Sequence, residues 1–415
     1  MGKSGDRQAA GIIALLFGLY AAQGTLGSMV QTALPTVLRD EGARLDTLGY
    51  LHLLFLPWAL KFLWAPFVDR FYIAEIGRRR SWILVCQISI IAAFALMAFL
   101  SPIGQLPLLL TILAIAIIFG ATQDTATDAL AVEALRRDRH MLGGSAQVAG
   151  GYFGFIVGIG VWLAVFAHAG WTWAMLLMVA CLGVMTMPTV LSGRMVSDAP
   201  SPDAPAPVSL LASLGRPELR LAIVLVLVYQ FGGRLGIALT GPFLVDAGLP
   251  LDTIGWLRGG AGAAVGIAGA VFAGAVFRRL STGSALCICA LLHALSFAAL
   301  SAIALTRHFD ETAIILACLA QAAAFSLTFA VLYSAMMGWC LPERAGTDFA
   351  LLQSADALLA IVAGVLAGLV SEGLGHGTNF ALAALFLFFA AFAAPLLTAR
   401  IAGPQRVPEP ISSTA

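Results

Sequence analysis

Twelve apolar stretches, each roughly 20 residues or longer, follow one another with few gaps from Gly11 to Arg400. The hydrocarbon core of a bilayer takes about 20 apolar residues per helix to cross, so this repetition decides the class of molecule before any single residue does. Hydrophobic residues make up 60% of the chain and charged residues only 11%. A soluble chain of this length needs far more charge to cover its surface. The sequence therefore predicts an all-α polytopic membrane protein in a lipid bilayer, with little chain left for a separate soluble domain. Lys3 and Arg7 precede the first apolar run, as in a signal peptide. That run continues to about Val37, too long for a signal h-region, and reads as a retained first helix.

The expected helices cover 11–37, 47–68, 82–101, 108–134, 143–168, 171–192, 221–247, 252–277, 283–305, 312–339, 348–372 and 377–400. Their order is set against the membrane by Lys and Arg, which concentrate in cytoplasmic loops. With the N-terminus inside, 17 of the 23 Lys and Arg residues fall on the cytoplasmic side and 3 (Arg39, Arg44, Arg307) on the other. Lys61, Arg234 and Arg258 lie within spans. Both termini are expected in the cytoplasm.

The longest loop, 193–220, contains Asp198-Ala-Pro-Ser-Pro-Asp-Ala-Pro-Ala-Pro207, which cannot continue a helix and reads as an extended linker. It divides the chain into an N-terminal six-helix bundle (1–192) and a C-terminal one (221–415). The second span is followed by Arg78-Arg79-Arg80 and the eighth by Arg278-Arg279, so the halves echo each other. Parallel six-helix repeats about a central cytoplasmic loop resemble the major facilitator superfamily of secondary transporters. Small residues four apart in the fifth, eighth and eleventh spans (Gly150, Gly154 and Gly158; Gly262 and Gly266; Gly364 and Gly368) let helices approach closely. In that superfamily the second, fifth, eighth and eleventh helices line the rocking interface; ordinary tight packing is the alternative.

Lys61-Phe-Leu-Trp64-Ala-Pro66, followed by Asp69-Arg70 and Gly77-Arg78-Arg79-Arg80, resembles the superfamily's loop motif. By that resemblance Asp69, Arg70, Arg78 and Arg79 form a charge latch between helices in one access state. A positive-inside signal without gating is the alternative. Together with Gln123-Asp124-Thr-Ala-Thr-Asp128-Ala and Arg344-Ala-Gly-Thr-Asp-Phe-Ala-Leu-Leu-Gln353, the motif is similar to the branch holding muropeptide permeases and acetyl-CoA transporters. Within it the whole chain most resembles siderophore permeases of the RhtX/FptX type. Muropeptide permeases carry an arginine after the Gly-Tyr pair of the fifth helix, where this chain has Phe153, and an uncharged face there suits a more apolar cargo.

Ionisable groups inside a span are costly and are functional candidates by default. Asp124 and Asp128 are four apart and share a helix face. Lys61 sits at a similar depth, so Lys61 pairing with Asp124 or Asp128 is expected. One reading makes a carboxylate a proton carrier coupled to rocking; the other is a static pair that fixes packing. Gln230 and Arg234 are also four apart, and Arg234 is a candidate for an anionic group on the cargo. The alternative pairs Arg234 with Asp356. Arg258, only six residues into the eighth span, is within reach of the outer surface by snorkelling. Aromatic groups interleave with these charges: Tyr20 beside Gln23, Phe55 and Trp58 with Phe62, Tyr229 beside Gln230, and Phe325 and Phe329 with Tyr333. The expected substrate-binding set is thus Arg234, Gln230, Lys61, Trp58, Tyr20, Gln23 and Phe329, with Asp124 and Asp128 coupling protons.

The chain has no HExxH, no GxSxG and no phosphate-binding glycine loop, which speaks against an enzyme and against ATP drive. Its six cysteines sit in or beside apolar stretches without metal or redox spacing, and no cofactor is expected. A net charge of +1 gives no reason to expect a nucleic-acid partner. The resemblance implies a monomeric carrier in a bacterial inner membrane, importing an iron–siderophore of the pyochelin or rhizobactin kind with protons. A muropeptide or peptidoglycan-fragment permease, or a drug exporter, is the alternative within the same fold.

Overall fold

The computed structural model describes residues 2–102, 104–134, 140–191, 213–276, 280–341 and 345–402. Among these residues every regular element is a helix. This is what a bilayer demands of an open chain, since each backbone N–H and C=O must be satisfied within its own segment.

Among the described residues, nine helical stretches are long and apolar enough to cross a membrane. Two are twice the necessary length: Ala149–Leu191 has 43 residues and Asp348–Ile401 has 54. Each is broken at one glycine, Gly170 (φ 80°, ψ −177°) and Gly375 (φ 82°, ψ 161°). This positive-φ conformation is one that L side chains rarely adopt, so the chain turns back there and each stretch is two helices. With the shorter apolar helix Leu45–Leu60, twelve apolar segments result. They are labelled α1 (Gly11–Asp40), α2 (Leu45–Leu60), α3 (Arg78–Met97), α4 (Leu106–Ala131), α5 (149–169), α6 (171–191), α7 (Pro217–Asp246), α8 (Leu251–Ala273), α9 (Thr282–Thr306), α10 (Glu311–Trp339), α11 (348–374) and α12 (376–401). Their ends agree with the sequence expectation to within a few residues, α2 and α5 excepted.

The second segment departs most from a regular span. The helix Leu45–Tyr50 passes into a 3-10 turn (Leu51–Phe55), a short helix (Leu56–Leu60), a second 3-10 turn (Lys61–Leu63) and the helix Ala65–Arg70. Pro57 and Pro66 each enter at the start of a new helical piece. A proline has no N–H and its ring clashes with the preceding turn, so one continuous helix over 47–68 is not formed. The breaks leave Lys61 at a corner rather than in a smooth helical wall.

The segments form two six-helix bundles, α1–α6 and α7–α12. At the end of the molecule away from residue 11, hereafter the outer end, one apolar core runs through both bundles. It joins Leu34, Leu38, Leu48 and Trp162 to Leu239, Phe243, Ile254 and Phe380. At the opposite, inner end the core splits in two. Leu16, Leu19, Val68, Ile83 and Leu130 pack within the first bundle; Leu225, Tyr229, Leu286, Leu332 and Leu352 pack within the second. Two glycine-lined crossings hold the bundles together. Gly49 of α2 meets Gly368 of α11, where an added Cβ would stand 2.8 Å from backbone. Gly259 of α8 meets Gly160 of α5, where it would stand 2.2 Å away. Both crossing partners in the second case are π-helical, Ile156–Val161 and Trp256–Ala261. The bundles are thus joined at the outer end and separate toward the inner one. Most of the expected linker, including its proline-rich stretch, lies outside the described residues.

Candidate functional site

In the first bundle six of the expected side chains form one polar cluster. Asp124 and Asp128 lie on one face of α4, as their spacing requires. The Lys61 ammonium reaches both, bonding Asp124 Oδ2 and lying 3.2 Å from Asp128 Oδ2. Trp58 Nε1 donates to the same Asp124 oxygen at 3.0 Å, and the Tyr20 hydroxyl donates to Asp128 Oδ1 at 3.1 Å. One turn along α1, Gln23 Nε2 donates to Thr127 Oγ1 at 3.3 Å. One cation therefore serves two carboxylates and the cluster has an excess of negative charge. Asp124 is the more enclosed acid, its side chain 13% exposed against 44% for Asp128.

In the second bundle Arg234 does not stand alone. Its Nε and Nη2 bond the two oxygens of Asp356 at 3.2 and 2.5 Å, and Gln230 Nε2 adds a third bond at 3.2 Å. The pairing weighed as an alternative to a free Arg234 is the one formed. Tyr333 is an electrostatic neighbour of both partners and stacks on Phe329 with ring centroids 3.9 Å apart. Phe329 in turn leans on Phe325 at 5.9 Å, so the expected α10 stripe exists. On α2, Phe55 stacks on Trp58 at 5.9 Å, while the Phe62 side chain lies outside the described residues.

The two clusters share a level. α2 runs antiparallel to α11, with Gly49 against Gly368 and His52 against Gly364, and the turn Leu56–Leu60 also touches α11. Followed inward, this register carries Lys61 and Asp356 to the same depth.

Other expected residues are placed differently. Arg70 is exposed, with its guanidinium 5.7 Å over the Phe71 ring. Arg79 is buried at the start of α3 beside Arg78, and Arg80 donates to the carbonyls of Thr189 and Val190 at 3.2 and 2.9 Å. The Asp69 side chain lies outside the described residues, as do those of Glu133, Arg136, Arg137, Arg139, Arg278, Arg279 and Arg344. Arg258 sits half-buried in the π-helical turn of α8, its Nε enclosed and Cys318 of α10 its electrostatic neighbour.

Sequence reasoning missed two further sites. At the outer end Asp246 of α7 bonds both Arg39 of α1 and His376 of α12. Glu372 accepts from the Leu45 N–H at 2.9 Å and lies 3.3 Å from Arg44. At the inner end Arg216 pairs with Asp348, which also accepts from the Leu341 N–H. The available signal was that Arg39 and Arg44 defy the inside bias for positive charge, which invites a search for acids at the same end. Among the described residues no group of three or more His, Cys, Asp or Glu side chains is placed to hold a metal ion.

A sequence model of the Major Facilitator Superfamily matches residues 16–320. An anhydromuropeptide permease of Escherichia coli (strain K12) is 29% identical over 391 residues, covering 92% of this chain and 77% of that protein. An uncharacterized protein of Haemophilus influenzae is 25% identical over 371 residues, covering 84% of this chain and 85% of its own length. Among solved structures, a POT family transporter in complex with a thioalcohol-conjugated peptide superposes with a TM-score of 0.75. It has 10% identity and covers 94% of this chain and 96% of that one. A D-xylose–proton symporter gives 0.66 at 14% identity, covering 91% and 96%. At these identities the two structures speak for the fold alone.

Proposed function

The chain belongs to the major facilitator superfamily, and from that premise we propose that it imports a muropeptide-like solute into the cytoplasm with protons. It is a secondary transporter of the membrane; the cargo, the coupling ion and the direction are the proposed part. The observation that carries the reading is the sharing of one Lys61 between Asp124 and Asp128. Two carboxylates facing one ammonium hold more negative charge than the cation offsets, so uptake of one proton neutralises the cluster. The more exposed Asp128 is the acceptor. Its protonation frees Lys61 for Asp124 alone and loosens the tie from α4 to α2, which also forms the crossing with α11. With the positive-inside charge bias setting the inner end in the cytoplasm, the proton is released there when the outer end is closed.

The muropeptide reading is supported by the similarity to the Escherichia coli permease along most of both chains. Its cargo class, a sugar with an attached peptide, is matched by carboxyl-binding and aromatic groups together: Arg234, Lys61, Trp58, Tyr20 and Phe329. An iron–siderophore is the second reading. It is favoured by one position, Phe153, exposed on α5 where muropeptide permeases carry an arginine. Purified protein in liposomes decides between them. An inward proton gradient should drive accumulation of labelled anhydromuropeptide, and uptake of a ferric chelate instead would select the second reading. Asp128→Asn should abolish gradient-driven accumulation yet keep counterflow exchange; full accumulation in this variant would remove the coupling role.

A further inference from the structure

Arg258 is an intramembrane cation without a partner among the described residues. Arg234 and Lys61 are each held by carboxylates, whereas Arg258 makes no hydrogen bond or ion pair to any described residue, and its Nε is buried and unsatisfied. Arg258 is half-buried, and an enclosed donor of a charged group left unpaired is costly; an ionisable group in a span marks a functional site by default. Its direction follows from its neighbours. Gly255 and Gly259 face α5, while Trp256 and Gly260 turn to one flank and line a groove of about 500 Å³ between α5 and α8. Arg258 lies on the opposite flank, toward α10, where Cys318 is its electrostatic neighbour.

Cys318 heads the aromatic stripe of α10. Residues 318, 325 and 329 fall along one face at helical spacing, and Tyr333 continues it to the Arg234–Asp356 pair. Gln321, on the adjoining face one turn from Cys318, is 4% exposed and its Nε2 is also without an acceptor. Two enclosed donor atoms, one on α8 belonging to a cation and one on α10, both without an acceptor, suit an anion. A guanidinium presents Nε and Nη2 as a planar fork that fits a carboxylate. From Cys318 to Tyr333 the stripe runs about 22 Å at 1.5 Å per residue, the length of an extended solute several units long.

We propose that Arg258, together with Gln321 of α10, binds a carboxylate of the transported solute, whose body lies along Phe325, Phe329 and Tyr333. This deepens the transport reading given above and rests on it for the role of the bound group, but binding itself is testable without transport. Succinate should raise the thermal stability of the purified protein in detergent, whereas uncharged succinamide, and chloride at equal ionic strength, should not. Arg258→Met should weaken the succinate response at least tenfold, Arg258→Lys by less and Gln321→Leu several-fold. Should the methionine variant not fold, the lysine and leucine variants carry the test. Wild-type succinate affinity in these variants would overturn the proposal, and equal protection by chloride would make this a site for a small inorganic anion instead. In liposomes, Arg258→Met should lose affinity for an anhydromuropeptide while leaving that for its carboxyl-amidated analogue unchanged; equal loss of both would reduce Arg258 to a structural part. Absence of muropeptide uptake by the wild type, with the succinate response intact, overturns the cargo and leaves the site.

Discussion

Arg39 on α1 grips Asp246 on α7 through two parallel hydrogen bonds, Nε to Oδ1 at 2.7 Å and Nη2 to Oδ2 at 2.9 Å. The two residues belong to different bundles, and His376 of α12 stands 2.9 Å from the same carboxylate. Arg39 also ties down the loop after α1 by donating from Nη1 to the Ala43 carbonyl at 2.9 Å. Together with Glu372, which caps the Leu45 N–H, these bonds fasten the outer end above the shared apolar core.

A fastening that exists in one access state only biases the equilibrium between states by its own free energy. Each partly exposed pair contributes about 0.2–1 kcal/mol, a bidentate network somewhat more. Arg39→Met is therefore expected to raise the outward-open population several-fold without unfolding the protein. Spin labels on the outer ends of α1 and α7 should show the longer inter-bundle distance gaining weight. An unchanged distance distribution would mean that the apolar core alone holds the outer end shut.

Lys61 yields a different pattern, because it is partly buried and its partner Asp124 is largely so. Removing one partner of a buried ion pair leaves an uncompensated charge, at about 3–5 kcal/mol. Lys61→Met should destabilise the protein strongly by leaving Asp124 and Asp128 facing each other. Adding Asp124→Asn should restore part of that loss, so the double variant should be more stable than Lys61→Met alone. Thermal unfolding of the four species in detergent gives the coupling directly. Additive losses would show that Lys61 and Asp124 do not interact in the membrane.

Much of this arrangement was legible in the chain. Gly170 and Gly375 fall in the gaps expected between 168 and 171 and between 372 and 377, because a tight reversal needs the residue that accepts positive φ. The Asp124–Asp128 face follows from a spacing of four, and the meeting with Lys61 from depth within the span. What the chain concealed depends on geometry between distant elements. Arg39 and Asp246 are 207 positions apart and meet only when the bundles close at that end. The surroundings of Arg258 have a local cause: the stretch Trp256–Ala261 is π-helical, which shifts the register of the helix, and the Arg258 Nε is enclosed there. The breaks in α2 follow from Pro57 and Pro66, residues visible in the sequence whose effect a hydropathy window averages away.

The α5–α8 crossing makes an asymmetric prediction. A Cβ on Gly259 would lie 2.2 Å from the Gly160 backbone nitrogen and 2.6 Å from its Cα, and backbone cannot give way as a side-chain end can. A Cβ on Gly160 would meet its nearest atom, the Gly255 carbonyl oxygen, at 3.4 Å, which is ordinary contact. Gly160→Ala should therefore be close to neutral, while Gly259→Ala must push α8 away from α5 and weaken the outer-closed state. Cysteine accessibility at the outer mouth, compared between the two variants, reads the difference. Equal accessibility in both would show that the helices slide freely at this crossing.

The Arg234–Asp356 pair tests whether the second bundle recognises its cargo by charge or by shape. Both Asp356 oxygens are already engaged by Arg234, and Gln230 adds a bond to one of them, so the arginine can reach a solute anion only through donors that Asp356 does not use. Arg234→Lys keeps the charge but replaces the planar fork with a single point donor. If the unused guanidinium donors hold the solute, apparent affinity for uptake should fall about 10-fold or more, as loss of a charge-assisted hydrogen bond of roughly 1.5–3 kcal/mol requires, while stability changes little. If the pair only closes the bundle, affinity should stay unchanged and thermal stability should drop instead. Asp356→Asn separates the two outcomes again: it frees the guanidinium, which should tighten binding of an anionic solute in the first case and only loosen packing in the second. Initial uptake rates over a range of solute concentrations, with unfolding temperatures for the same preparations, provide both readouts.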